Sequence, residues 1–587
     1  MKRNISLKIA LISFFMITQL SFSQKKYDAI GTEVVNVVKS YSATISDAFK
    51  VKETPTLDDE DNAKKESIQY PIFSVPVAST FTPSKGKAAN VENGKSEKYF
   101  NNYATLAFGN YGTLAADVVL TQTLDNSDYV GAMIHHLSSQ GGIKNVPLKN
   151  QFSNSSIDIT YGSKSKAFSW NGDLGYKRMG YNWYGLNSSL YDNLTAEAQE
   201  DLFHSINPKH IYQNISLGGK LAVNESMFKE VTLNYNHFSD SFSSSENHVV
   251  VQPKFDFDIM DVTLKTNMVL DHVSGTFQKD YFDTNSVVYG FTNFGIKPTF
   301  QWNKEDFSVN FGVGIFYSTA KDTLVTSSKN KLYVYPNITG TYKVVGDLMI
   351  AYAGAEGALK QNTYYDFVQE NFFLSPTLAI APTDQKYDVY LGLKGKLANY
   401  VGYNLRASVM NEDNKALFKN NIYDALMSDK LGYHYGNSFN IVYDNVKTVT
   451  LFGELKADFS KNISVGINGS IFSYTTRNEQ QAWNLPNLKL GATCDVTLTP
   501  KWYAGSTMFY VGSRKDQMIT SGIVANMEEV KLSSYFDLNA HVGYKHNKRL
   551  TFFFKGNNLA NQNYERWLNY PVQGIQVLLG ANYKFDF

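Results

Sequence analysis

The sequence predicts an all-β chain, a transmembrane antiparallel β-barrel of about 22 strands behind a short irregular N-terminal periplasmic segment. Three observations predict it. From Asn101 onward, apolar and polar residues alternate in runs of roughly ten to fifteen, each closed by a turn. The connections alternate between tight and long. The last run ends on a terminal aromatic, with Ile575, Val577, Leu579, Ala581, Tyr583, Phe585 and Phe587 on one face and Gln576, Asn582, Lys584 and Asp586 on the other. A two-residue period puts successive side chains on opposite faces of a strand. In a barrel that crosses a bilayer, the apolar face meets lipid and the polar face meets the lumen. Leu578 is the one apolar residue on the polar face.

In chain order, residues 1–23 read as a signal peptide. Lys2, Arg3 and Lys8 precede the apolar run Ile9 to Ile17, and small and polar residues follow through Ser23. That run is shorter than the roughly 20 apolar residues of a spanning helix. Residues 24–99 form a separate periplasmic segment without sustained alternation. It carries the acidic run Asp58, Asp59, Glu60 and Asp61, together with Pro55, Pro71, Pro76 and Pro83. Such a composition packs poorly on itself.

Residues 100–587 are the barrel. Val449, Leu451, Leu455, Ala457 and Phe459 alternate with Thr450, Glu454, Lys456 and Asp458, and Phe536 to Tyr544 repeats the pattern. Tight turns fall at residues 124–127, 163–166, 224–226, 259–261, 303–306, 345–347, 398–400, 460–462, 499–501 and 546–548. Long polar loops are expected between them, at residues 180–208, 274–284, 361–385, 411–437, 477–481 and 513–529 among others. Short periplasmic turns alternating with longer external loops are the pattern of outer-membrane barrels. Pro253, Pro298 and Pro336 sit inside strand-like runs and are expected to mark bulges. Residues 194–206 read as a short helix in a loop, with Thr195 as its N-cap.

Composition excludes several classes of function. Aromatic residues make up 14% of the chain, with 39 Tyr and 39 Phe, which suits strands carrying aromatic girdles. The formal net charge of +1 argues against a nucleic-acid surface. Cys494 is the only cysteine, so no disulfide framework exists. No His-Glu-x-x-His spacing, phosphate loop or nucleophile elbow is present. His135 and His136 are neighbours on one strand and point to opposite faces. No enzyme, metal or cofactor is expected.

The C-terminal stretch carries a family resemblance. The run Tyr535–Asn539, the run Phe554–Trp567 with its Asn558-Leu-Ala-Asn561 opening, Tyr570–Gly574 and the closing strand resemble the end of TonB-dependent outer-membrane receptors of the kind common in Bacteroidota. Tyr387–Gly395 is similar to another family stretch, and the resemblance covers roughly residues 100–587. Tyr583, Phe585 and Phe587 resemble the signal by which the barrel assembly machinery recognises such chains. Thr32, Glu33, Val34, Val35, Asn36, Val37 and Val38 are similar to a TonB box, which could pair as an added strand. The resemblance implies residence in the outer-membrane lipid, passage of solutes, and TonB, a SusD-like protein or another outer-membrane protein as partner.

The plug departs from the family pattern. Residues 24–99 are too few for the family's folded plug, so they are a truncated plug, a TonB-box-like region or neither. The lumen is then an open pore, a barrel blocked by its own N-terminal segment and inward-folded loops, or a barrel stoppered by another protein. The competing reading is a non-transporting barrel subunit of a larger outer-membrane complex. The loop aromatics Tyr564, Trp567 and Tyr570 are candidates for ligand or partner contact, with an aromatic girdle at the membrane rim as the alternative.

Overall fold

The computed structural model describes residues 100–587 except 125–126, 260–261, 323–329, 425 and 520–526. The signal-peptide, acidic-run and TonB-box readings therefore lie outside the described residues. Twenty-two strands form one antiparallel sheet that closes on itself, the first strand pairing with the last from Asn102↔Phe585 to Gly109↔Leu578. No helix among the described residues is long and apolar enough to cross a membrane.

At the end that holds the chain termini, the connections are two to four residues long, and they fall where the sequence placed the tight turns. At the opposite end they run from three residues (110–112) to 26 (183–208). In outer-membrane barrels short turns lie on the periplasmic side and long loops outside. The outer wall is apolar, with Leu391 61%, Leu451 54% and Leu579 64% exposed in the isolated chain. Phe168, Trp302, Tyr342, Tyr400, Phe459 and Trp502 are exposed close to the tight turns, the position of an interfacial girdle. Leu578 finds its explanation on the lumen side, where it packs with Ala107, Ala115, Leu137 and Phe553 just below the outer mouth.

The three strand prolines do not form bulges. Val251 pairs with Leu270 and Lys254 with Asn267, so the register is unchanged across Pro253. The same holds across Pro298, between Ile296↔Ile315 and Thr299↔Gly312. Beside Pro336, the ladder with the strand Met349–Lys360 begins only at Asn337. Each proline leaves a gap on one edge, where its missing N–H would have donated. On the other edge it stays paired, with Val231, Thr266 and Val313 respectively.

Some expected loops are strand. The strand Val401–Asn420 runs well past Asn411, with a bulge between Glu412 and Lys415. Above the hydrocarbon no outward apolar face is required, so the ladder continues through polar Asn411–Lys415 and then Ala416–Phe418, and the alternation fades while the hydrogen bonds persist. Glu412 holds this extension, accepting from Lys415 and from Lys360 at 3.3 Å.

The lipid face makes a direct prediction. Leu579→Arg is expected to cost about 2–4 kcal/mol, and Val577→Arg, at the outer end of the last strand, about 0–1 kcal/mol. Reversible urea unfolding in lipid vesicles measures both. Equal costs would mean that the depth assigned to the last strand is wrong.

Candidate functional site

The largest buried cluster lies at the outer mouth, where the loops fold inward over the lumen. Its centre is the connection 361–382. This segment begins with a short helix, α1 (Tyr364–Glu370), whose N-cap Thr363 accepts from the Asp366 amide at 2.9 Å. Tyr364, Val368, Leu374 and Leu378 are fully buried. An external loop in water would expose them, so the apolar pattern drives the segment into the mouth.

Two carboxylates hold it there. Glu246, on the strand Ser245–Ile259, accepts from the amides of Tyr364 at 2.7 Å and Tyr365 at 3.1 Å, and from the Tyr289 hydroxyl at 2.7 Å. Asp240, at the end of the strand Phe228–Asp240, accepts from the Tyr364 hydroxyl at 2.8 Å. Its other oxygen accepts from the amides of Phe242 and Ser244 at 2.8 and 2.9 Å. The Tyr364 ring packs edge-on against Phe238 and Phe277, with centroids 5.0 and 4.9 Å away. Lys177 donates to Gln369 at 2.7 Å, and the Tyr212 hydroxyl donates to the Phe372 carbonyl at 3.0 Å. The loop is thus fastened to opposite ends of its own helix by groups from the barrel wall.

Other loops lock onto it. Asn437 donates to the carbonyls of Trp183 and Gly432 at 2.9 and 2.8 Å, and the Tyr570 hydroxyl donates to the Asn437 carbonyl. The Tyr570 ring stacks on Phe373 at 3.7 Å. The Tyr184 hydroxyl donates to the Pro571 carbonyl at 2.9 Å, and Gln573 donates to Ser139 and to the Gly141 carbonyl at 2.8 and 2.6 Å. Gly432 lies so close to the Asn207 carbonyl that an added Cβ would overlap it. Connections 140–151, 183–208, 361–382, 421–438 and 558–575 therefore form one packed cap. Residues 196–205 form the expected loop helix, α2 in this cap (Ala196–Ser205), with the Thr195 side chain accepting from the Ala198 amide.

The loop aromatics are interior residues and do not form a girdle. Trp567 and Tyr570 are 3% and 1% exposed, with Trp567 between Phe418 and Phe439. Tyr564 stacks flat on Tyr535 at 3.9 Å and donates to Asp537 at 2.7 Å. Their aromatic surface packs within the cap and not in a rim belt. Tyr583 and Phe585 stack along the outward face of the last strand, and Phe587 packs edge-on against Phe585. Glu246, Asp240 and Tyr364 escaped the sequence reading, because their partners are more than 100 residues apart and no local spacing marks them.

Titratable groups are built into the cap. Asp516, in the outer hairpin, accepts from the amides of Asn420 and Gln517 and from Asn484, at 3.0, 2.8 and 2.8 Å, and is fully buried. Burial raises its carboxyl to about 6. Burial, followed by Lys279 and Lys430, lowers His434 to about 4. No group of His, Cys, Asp and Glu that could hold a metal ion occurs among the described residues.

No protein-family model and no curated protein sequence matches the chain. Solved structures do match its fold. The FrpB iron transporter of Neisseria meningitidis superposes with a TM-score of 0.62, over 84% of this chain and 83% of its own, at 11% identity. The ferripyoverdine receptor of the outer membrane of Pseudomonas aeruginosa gives 0.60, over 84% and 72%, at 11% identity. The copper transporter OprC gives 0.59, over 83% and 82%, at 13% identity. The chain shares the fold of these proteins, and here it is a closed barrel of 22 strands.

Proposed function

We propose that this chain is an outer-membrane transport barrel for small solutes, held shut at its external mouth by its own loops. The observation that carries the reading is the connection 361–382, seated in the mouth and fastened through Glu246 and Asp240. A loop fastened by a few hydrogen bonds to the wall can be released by a ligand that competes for those groups. Fold likeness to iron and copper transporters supports uptake as the purpose. In this reading residues 24–99 are a reduced plug or coupling arm, Thr32–Val38 is the segment offered to TonB, and Tyr583, Phe585 and Phe587 form the insertion signal.

A closed mouth equally suits a barrel that carries no solute and serves as a subunit of a larger complex. The two part in one experiment. Replacing residues 362–381 by a short glycine–serine linker is expected to turn an ion-tight barrel into one that passes small solutes across vesicles. A barrel that stays tight without the loop, and that recovers another outer-membrane protein from native membranes, would replace transport with the subunit reading.

A further inference from the structure

Where the cap meets the lumen, two arginines stand side by side. Arg514 begins the outer hairpin Arg514–Ile519, and Arg566 lies in the short strand Glu565–Trp567. They are 6% and 8% exposed. Arg514 donates to the backbone carbonyls of Arg566 and, at 2.7 Å, Glu565. Among the described residues its Nε has no partner. In Arg566, both Nε and Nη2 are buried with no hydrogen-bond partner among the described residues. A guanidinium presents five N–H donors in a rigid fork and is not deprotonated in proteins, so buried unmatched donors here are costly.

The surroundings add charge and aromatic walls. Lys489, on the strand Leu488–Thr497, lies near enough to Arg514 and Glu370 for their charges to interact. Tyr181, Tyr184, Tyr535 and Tyr564 lie near enough to the guanidinium of Arg566 for their charges to interact. Tyr535 lies beneath Arg514, its ring centre 5.4 Å from the guanidinium carbon. The carboxylates near the arginines offset their charge without accepting from the Arg566 fork. Asp516 is committed to Asn420, Gln517 and Asn484, and Glu565 accepts from the Asn569 amide at 3.3 Å. Glu370 makes no ion pair with either arginine among the described residues, and burial raises its carboxyl. Burial also pulls Arg566 down to about 10. What the cluster lacks is acceptors for the Arg566 fork, not negative charge.

We infer that Arg566 and Arg514, with Lys489 on the lumen wall, form a binding site for an oxyanion group, a carboxylate or phosphate, of a solute entering under the cap. The unmatched edge of the Arg566 fork is the feature that selects it, because a planar pair of N–H donors fits two oxygens of one anion. The inference deepens the transport reading by naming the chemical class of the solute, and it rests on that reading for the solute's passage. Binding itself does not require transport.

The test titrates inorganic phosphate and citrate, at constant ionic strength set with chloride, into the purified full chain in detergent. Binding is read from tryptophan fluorescence, since Trp567 adjoins Arg566 in sequence, and from thermal unfolding. At least one anion is expected to give a saturable change, weakened about tenfold or more by Arg566→Gln, the scale of one lost charge-assisted contact. A response to phosphate alone assigns the site to phosphate esters, and a response to citrate alone to carboxylates. Lys489→Gln keeps the test decisive if Arg566→Gln fails to fold, because it alters only the wall side and should weaken binding in the same sense. No saturable response to either anion in the unaltered chain would overturn the site. So would binding that neither variant weakens. Saturable binding by a barrel that passes no solute would keep the site and remove the transport reading.

Discussion

Glu246→Ala is expected to unlatch the mouth. The substitution leaves the amides of Tyr364 and Tyr365 and the Tyr289 hydroxyl without their acceptor inside the cap. Each unsatisfied buried donor costs about 1–3 kcal/mol, so the closed state loses about 3 kcal/mol or more. At about 1.4 kcal/mol per tenfold, the open fraction rises by about two orders of magnitude. Planar-bilayer recordings should show rare openings in the unaltered chain and frequent ones in the variant. Tyr364→Phe removes only the bond to Asp240 and should open the mouth by about tenfold or less. Retained heat-modifiable migration separates opening from failure to fold. A folded Glu246→Ala barrel that opens no more than the unaltered chain would remove the latch.

The second large effect is a pair of opposing responses to acid. Asp516 has a folded-state value of about 6, above the ordinary carboxyl value of 3.8. Deprotonation therefore weakens the cap as pH rises from 3.8 through about 6, and acidification restores about 3 kcal/mol. His434 runs the other way. Its folded-state value of about 4 lies below the ordinary 6.5, so its contribution is full above 6.5 and is lost as pH falls toward 4. Glu246, raised by burial to about 7, responds in the same sense as Asp516, so each variant is read against the unaltered chain. Between pH 7 and 4.5, opening should become rarer in His434→Gln and more frequent in Asp516→Asn, each compared with the unaltered chain over the same step. Parallel responses in the two variants would show that neither group governs the cap.

The wall of the barrel was legible because lipid imposes a rule on every second residue. The run from Ile575 to Phe587 could be oriented from its alternation alone, and the tight turns fell where the alternation paused. The Thr195 cap signalled its helix by local chemistry. The rule lapses where lipid ends. The top of Val401–Asn420 has no alternation, polar through Asn411–Lys415 and then apolar on both faces at Ala416–Phe418, so it reads as loop, and the prolines suggest bulges because sequence does not reveal which edge of a strand lacks a donor. Trp567 and Tyr570 looked like rim residues, since a buried aromatic and a girdle aromatic have the same local signature. The site itself joins Glu246 to Tyr364 and Tyr570 to Asn437, contacts set by tertiary folding of loops with no period of their own.

The most direct measurement of the closed mouth is chemical access to Val368, which has no exposed surface and sits in α1. The only native thiol, Cys494, would be replaced by serine. On intact cells, a membrane-impermeant maleimide should then label Leu426→Cys, at an outer loop position 82% exposed, and leave Val368→Cys unlabelled. Adding Glu246→Ala should make Val368→Cys reactive. Equal labelling of Val368→Cys and Leu426→Cys with Glu246 in place would contradict a barrel closed by its own loops.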